Sequence, residues 1–211
     1  MTTINNNKTN ISSNDELKQT QAKDIIIDFD SIIDLPDICK FTSVEFRNNR
    51  NIAEDIPQEQ LNYIKEHSNI EQIICNCNST PYIPFVFMLQ NVKYIKFNEI
   101  MSPWDLEELY KQLEQTSYSH TLDISISYSI DLSRLSKLKH LKLTYYDDDD
   151  EYVGPNLLKK EDFIDDDFHA SKSNLKSLSV RFIDVGSHTK FRMKNEFNNM
   201  FRGTKCVVEV K

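Results

Sequence analysis

A six-residue pattern with apolar residues at positions 1, 4 and 6 recurs along this chain and constrains its fold more than any other feature. Full copies lie at residues 41–46, 70–75, 92–97, 138–143 and 175–180. Partial copies that keep positions 4 and 6 lie at residues 24–29, 121–126 and 205–210. Alternating apolar positions are typical of a β-strand with one buried face. The recurrence therefore predicts eight short strands of similar design.

The spacing of these copies relates the chain to a repeat family. The last apolar residues of successive copies lie 17 to 37 residues apart, and most intervals fall in or near a repeat length of about 20–29 residues. The segment DLSRLSKLKHLKL at residues 131–143 resembles a leucine-rich repeat, and residues 34–46 match it at five positions, among them Leu35 with Leu132. Members of this family carry an asparagine three residues after the last apolar position of each copy, and here it is found only at Asn49 and Asn78. The resemblance is therefore to an irregular member.

The resemblance implies an α/β fold. Its architecture would be a leucine-rich-repeat-like solenoid with a parallel concave sheet and helices or turns on the convex side. Helices are predicted at residues 57–67, 103–115, 155–170 and 192–202, where apolar residues recur at helical spacing. Ser102 followed by Pro103 is a typical helix start. Each repeat would bury its helix by stacking on its neighbours.

The domain organisation follows from composition. Residues 1–22 lack apolar periodicity and are rich in polar residues, so we predict a disordered polar tail. The irregular repeat domain would occupy residues 23–211. An acidic insertion at residues 147–167 holds ten carboxylates against two lysines, a balance equal to the net charge of −8 of the whole chain. We interpret it as a solvated loop, and a docking patch for a basic partner is the alternative.

Several function classes are disfavoured by the sequence. Phosphate-binding loops are rich in glycine, and this chain has only three glycines. Its net negative charge argues against nucleic-acid binding. The longest apolar run, residues 84–89, is far shorter than the roughly 20 residues of a membrane helix. The N-terminal segment is polar and does not resemble a signal peptide, so the four cysteines are predicted to be reduced thiols. We therefore predict a cytoplasmic location without membrane contact. No cofactor is predicted.

Strand alternation turns positions 3, 5 and 7 toward the open face of the sheet. The predicted partner-binding residues on this concave face are Glu45, Arg47, Gln72, Asn76, Tyr94, Lys96, Asn98, Asp123, Ser125, His140, Lys142, Ser179 and Arg181. Arginine, tyrosine and amide side chains suit protein recognition. We predict a non-catalytic module that binds another protein, of unknown identity, through this face. An ordinary solvated sheet face is the alternative.

Two other functions have partial support in the sequence. Asp123, His140 and Ser177 occupy position 3 in three successive copies, as a hydrolase triad could. No glycine-flanked serine or oxyanion donor accompanies them, so no catalytic residue is predicted.

Leu35 and Pro36 precede the repeats as in F-box-type substrate adaptors of ubiquitin ligases. This resemblance implies about 40 helical residues directly after Leu35 and Pro36. Residues 41–46 carry the strand pattern instead.

The remaining candidate residues favour packing. Cys75 and Cys77 face inward on one strand, but a zinc site needs four converging ligands, so these thiols are predicted to be core residues and no metal site is expected. Trp104 and Tyr110 on the helix at residues 103–115 are also predicted to pack rather than to bind a ligand.

Overall fold

The computed structural model describes residues 8–28, 35–47, 58–76, 82–146, 170, 173–183 and 185–211. These residues form nine strands and five α-helices, and the strands pair in parallel. The α/β class with parallel strands is thus confirmed. The acidic insertion at 147–167 and nearly all of the helix predicted at 155–170 lie outside the described residues. The chain divides into two compact units, Met1–Glu99 and Ile100–Lys211.

The first unit alternates strands with short helical segments. Its elements are β1 (Thr9–Ile11), α1 (Asn14–Gln19), β2 (Asp24–Ile27), a 3-10 helix (Leu35–Lys40), β3 (Ser43–Phe46), α2 (Gln58–His67), β4 (Gln72–Cys75), α3 (Tyr82–Met88) and most of β5 (Tyr94–Met101). The strands pair in chain order. Position 4 of the pattern forms a buried row of Val44, Ile73 and Ile95. This row builds the core of the unit.

Helix α3 belongs to this core although the sequence pattern did not predict it. Ile83, Phe85 and Val86 are buried, and the rings of Phe85 and Phe46 meet edge to face at 6.5 Å. Pro84 lies in the first turn, where the N–H that proline lacks would have no helical partner. A seven-residue helix that is apolar on all sides gives no amphipathic signal.

The predicted disorder of residues 1–22 is wrong for β1 and α1, which lie inside that segment. Ile11 of β1 aligns with Ile27 of β2 and is buried, and Leu17 of α1 is fully buried. The side chain of Ser13 caps α1 by accepting from the N–H of Glu16. Two apolar residues six positions apart, surrounded by polar ones, are enough to anchor the segment.

The second unit begins with the end of β5 and continues through α4 (Pro103–Gln115), β6 (Thr121–Ile126), β7 (His140–Tyr146), β8 (Ser177–Ile183), α5 (Ser187–Met200) and β9 (Val207–Val210). Strands β6 to β9 pair in chain order. Helix α4 has the predicted bounds and starts in a capping box between Ser102 and Asp105. Helix α5 begins at Ser187 rather than at Arg192. Helix α2, described at Gln58–His67, lies within the predicted range of 57–67.

Two side chains of the segment before β7 form hydrogen bonds with helix α4. The guanidinium of Arg134 donates to Glu107 and Glu114, each at 2.9 Å, and lies 4.3 Å from the centroid of the Tyr110 ring. The Nζ of Lys137 donates to the carbonyl of Glu114 at 3.0 Å, near the C-terminus of the helix. Burial raises the pKa of Tyr110 to about 12. These contacts fix the start of β7 against the helix.

The strand register corrects the phase of two partial copies. We predicted Ile27 and Ile124 at position 4, but Ile25 pairs with Val44 and Leu122 pairs with Leu141. Both copies therefore start two residues earlier than predicted. Because strand side chains alternate, a shift of two residues keeps every side chain on its predicted face and changes only its neighbours.

Candidate interaction surface

Outward side chains alternate with core side chains on the strands of both units. Inward residues such as Phe97 and Leu141 are fully buried, whereas Lys96 and Thr144 on the other face are half-buried and Lys142 is exposed. Ser125 is an exception, because its exposed fraction is only 7%. The prediction that Ser125 contributes to the interaction surface is therefore wrong, because its side chain is buried.

In the first unit, the outward residues that we call the first face are Glu45, Arg47, Gln72, Asn76, Tyr94, Lys96 and Asn98. The register pairs Gln72 with Tyr94 and places Lys96 beside Ile74. All seven are half-buried or exposed. The structure thus brings the predicted residues of this unit onto one sheet face.

Glu45 is the centre of a hydrogen-bond network on the first face. Its carboxylate accepts from the Nζ of Lys8 at 3.0 Å, the Nε of Arg47 at 3.1 Å and the Nδ2 of Asn76 at 2.9 Å. The side chains of Lys8 and Glu45 are 11% and 14% exposed. Burial raises the pKa of Glu45, but the hydrogen bonds from these donors and the Lys8 charge outweigh burial and hold the pKa below its ordinary value.

The network extends to β5, because the Nδ2 of Asn98 donates to the Oδ1 of Asn76. Sequence reasoning missed Lys8, which directly precedes β1 and lies in the segment predicted to be disordered. No periodic signal marks a single lysine, so it could not have been found without the register of β1. The polar groups at this end of the first face are therefore largely satisfied within the chain.

In the second unit, the outward residues that we call the second face are Asp123, His140, Lys142, Thr144, Ser177, Ser179 and Arg181. Lys142 lies between Asp123 and Ser179 in the register, and Arg181 lies beside Thr144. Lys142 and Arg181 are exposed. Arg181 makes no ion pair or side-chain hydrogen bond with another residue in the described part of the chain.

Of the three residues considered for a hydrolase, the register brings His140 and Ser177 together and separates Asp123 from them. The Nδ1 of His140 lies 2.8 Å from the Oγ of Ser177 on the neighbouring strand. Asp123 pairs with Lys142, and the residue opposite His140 is Thr121. The predicted row of Asp123, His140 and Ser177 is thus wrong, because the phase of β6 is shifted by two residues.

Among the described residues, no cluster of three His, Cys, Asp or Glu side chains could hold a metal ion. Cys39 and Cys75 are buried in the core, and Cys77 lies outside the described residues. Burial, together with the charge of Asp37, raises the pKa of Cys39 to about 11, so this thiol stays protonated at neutral pH. Within the same residues, every helix is too short or too polar to span a bilayer.

Helix α4 confirms one aromatic prediction and overturns the other. Tyr110 is buried, with 4% exposed, whereas Trp104 is 81% exposed and does not pack as predicted. Leu106, Leu109 and Tyr110 form the buried side of the helix. With 3.6 residues per turn, Trp104 falls on the opposite side.

No family model, curated protein or solved structure matches this chain. A functional assignment therefore rests on the residues of the chain itself and on their arrangement.

Proposed function

We propose that this chain is a non-catalytic protein-interaction module of irregular leucine-rich-repeat-like build, which binds a partner protein through its outward sheet faces. The supporting observation is the accessible polar side chains on one face of parallel strands. Parallel sheets are usually covered on both faces. The first face keeps Tyr94 and Lys96 half-buried, and the second face keeps Lys142 and Arg181 exposed, so each face is suited to be covered by a partner.

The second face supplies the chemistry for an acidic partner. Arg181 is exposed and has no partner among the described residues, so its guanidinium can form paired hydrogen bonds with a carboxylate. Lys142 and His140 lie on the neighbouring strand, and Ser177 and Ser179 add hydroxyl groups. Arginine anchors are common among the residues that dominate binding energy.

The same face offers little support for catalysis. His140 and Ser177 are within hydrogen-bond distance, but a Ser-His-Asp triad needs a carboxylate that orients the imidazole. The register places Asp123 opposite Lys142 instead. We therefore assign His140 and Ser177 to the binding surface.

The proposal is tested with a triple charge reversal, Lys96→Glu, Lys142→Glu and Arg181→Glu. The matched control reverses Lys65, Lys194 and Arg202, which are exposed on α2, on α5 and on the turn after α5. Tagged proteins are used for affinity purification from native lysate with mass spectrometry. We expect partners captured by wild type and by the control to be lost from the face variant, with unchanged melting temperatures. Retention of every partner by the face variant would contradict the proposal.

A hydrolase assay provides an independent check. Model esters are incubated with wild type and with Ser177→Ala, and the rates of ester cleavage are compared. Equal rates are expected from a binding module. A lower rate for the variant would assign a nucleophile to the second face and overturn the non-catalytic proposal.

A further inference from the structure

Three polar side chains on neighbouring strands of the first unit lie side by side, each on the first residue of its strand. The register pairs Asp24 of β2 with Ser43 of β3, and Ser43 with Gln72 of β4. The residue that follows each of them is fully buried in the core, so alternation turns the three side chains to the other side of the sheet. We call them the polar row. It lies on the same side of the sheet as the first face and shares Gln72 with it.

Ser43 is the buried member of the polar row. Its exposed fraction is 6%. Its Oγ has no hydrogen-bond partner in the described part of the chain. Burial of a hydroxyl group without a hydrogen bond is unfavourable. A ligand that donates to this oxygen therefore forms a hydrogen bond that the described chain does not supply.

The two neighbours of Ser43 in the polar row also have unused hydrogen-bonding groups. Asp24 and Gln72 are half-buried. Neither forms an ion pair or a side-chain hydrogen bond with another of the described residues. Two residues after Ser43 on the same strand, in contrast, Glu45 accepts from three side chains. The polar row therefore differs from the network at the other end of the same strands.

The lysine that the register places beside Asp24 is paired with another residue. Thr9 aligns with Ile25, so Lys8 is level with Asp24. The Nζ of Lys8 donates to Glu45 at 3.0 Å, and the Lys8 side chain is 11% exposed. This side of the sheet thus accommodates a nearly buried ammonium beside a carboxylate. The carboxylate of Asp24 remains available to a cation from another molecule.

We infer that the polar row is a binding site for a lysine side chain of the partner protein. An ammonium has three donors and no acceptor, and the polar row offers three acceptors: the Asp24 carboxylate, the Ser43 Oγ and the Gln72 Oε1. Neighbouring strands lie about 4.8 Å apart, so both outer side chains can reach an ammonium placed over Ser43. The charge of Asp24 favours a cation over a neutral donor. The inference rests on the proposed function, because this lysine belongs to the partner that covers the first face.

A lysine suits the polar row better than an arginine does. The planar fork of a guanidinium matches the two oxygens of one carboxylate, whereas the acceptors of the polar row belong to three strands. The ammonium is compact and its three donors point in different directions. The Oγ of Ser43 is reached when Asp24 or Gln72 turns aside. Such rotamer changes are common at interfaces, and no hydrogen bond within the described residues holds either side chain.

The first test titrates the isotope-labelled full chain with a capped pentapeptide that has one lysine between alanines. The backbone amides of Ser43 and Gln72 are followed by NMR. Peptides with norleucine or arginine in place of the lysine are the matched probes. We expect saturable shifts at millimolar lysine peptide, no saturation with the norleucine peptide, and weaker binding of the arginine peptide. Equal shifts with norleucine would overturn the inference, and equal binding of arginine would overturn the choice of lysine.

Variants of the polar row separate binding from folding. Asp24→Asn keeps the shape and removes the charge, so it should bind the lysine peptide about tenfold more weakly. Ser43→Ala should also bind more weakly, but its melting temperature should be unchanged or raised, because the hydroxyl has no partner within the described residues. Glu66→Gln, an exposed carboxylate of α2, is the control and should bind like wild type. Wild-type affinity of Asp24→Asn would overturn the inference, and so would a Ser43→Ala variant that melts earlier but binds equally well.

The peptide titration does not use the captured partner, so the two proposals fail separately. A lysine peptide that does not bind, together with loss of partners from the triple charge reversal, would overturn the lysine site alone. Retention of every partner by that triple variant would contradict the proposed function, whatever the titration shows.

Discussion

The two outward faces use their charged groups in different ways. On the first face, Glu45 holds three donors from its own chain and is 14% exposed. On the second face, Arg181 is exposed and makes no ion pair with another described residue. The charge of Glu45 therefore holds strands together, whereas the charge of Arg181 is accessible to another molecule. Outward strand positions can thus serve stability or recognition, depending on which donors the neighbouring strands supply.

The largest effect is expected from Glu45→Ala. The change leaves the nearly buried ammonium of Lys8 and the amide of Asn76 without their acceptor, so unfolding should become easier by about 2–3 kcal/mol at pH 7. The control is Glu71→Ala, because Glu71 accepts from Lys93 at 2.7 Å with both side chains about half exposed. Urea unfolding followed by far-UV CD measures both. Equal losses in the two variants would show that the network does not stabilise the first unit.

A smaller effect is expected from pH. The folded-state pKa of Glu45 is lowered, so its stabilisation is present above the ordinary value of 4.5 and is lost as pH falls through the folded-state pKa. Glu45→Gln cannot titrate, and should be less stable than wild type by about 1–2 kcal/mol at pH 7. The difference should shrink steadily below pH 4.5. Denaturant titrations at a series of pH values test this, and a pH-independent difference would rule out the ionised carboxylate as its cause.

The smallest effect on stability is expected from Arg181→Glu. An exposed side chain without a described partner has little to lose, so the free energy of unfolding should change by less than about 0.5 kcal/mol. The same urea titration measures it. A loss as large as that of Glu45→Ala would mean that both faces serve stability and would remove the contrast between them.

The sequence predicted the buried side of most strands, because a period of two is visible in most copies of the pattern, although Ser125 is buried on the other side. It could not set the register of the partial copies. Ile25 and Ile27, like Leu122 and Ile124, are equally good candidates for position 4, and a two-residue shift leaves the alternation intact. The choice is made by the neighbouring strands, through pairs such as Leu122 with Leu141. The Asp123 error follows from this ambiguity.

Other features depended on contacts that no local pattern encodes. The segment before β2 folds because Ile11 and Leu17 are buried and Lys8 pairs with Glu45, 37 residues away. Helix α3 has apolar residues on all sides and so shows no amphipathic period. The exposure of Trp104, in contrast, was available from helical spacing, since it lies opposite Leu106 and Leu109.

The most direct test of the difference between the two faces is the affinity for a captured partner, measured by isothermal titration calorimetry. Wild type is compared with Arg181→Glu and with Lys194→Glu, an exposed lysine of α5. We expect Arg181→Glu to bind at least about tenfold more weakly, as loss of a charge-assisted contact predicts, with an unchanged melting temperature. Lys194→Glu should bind like wild type. Equal affinity of Arg181→Glu and wild type would contradict the assignment of the second face to partner binding.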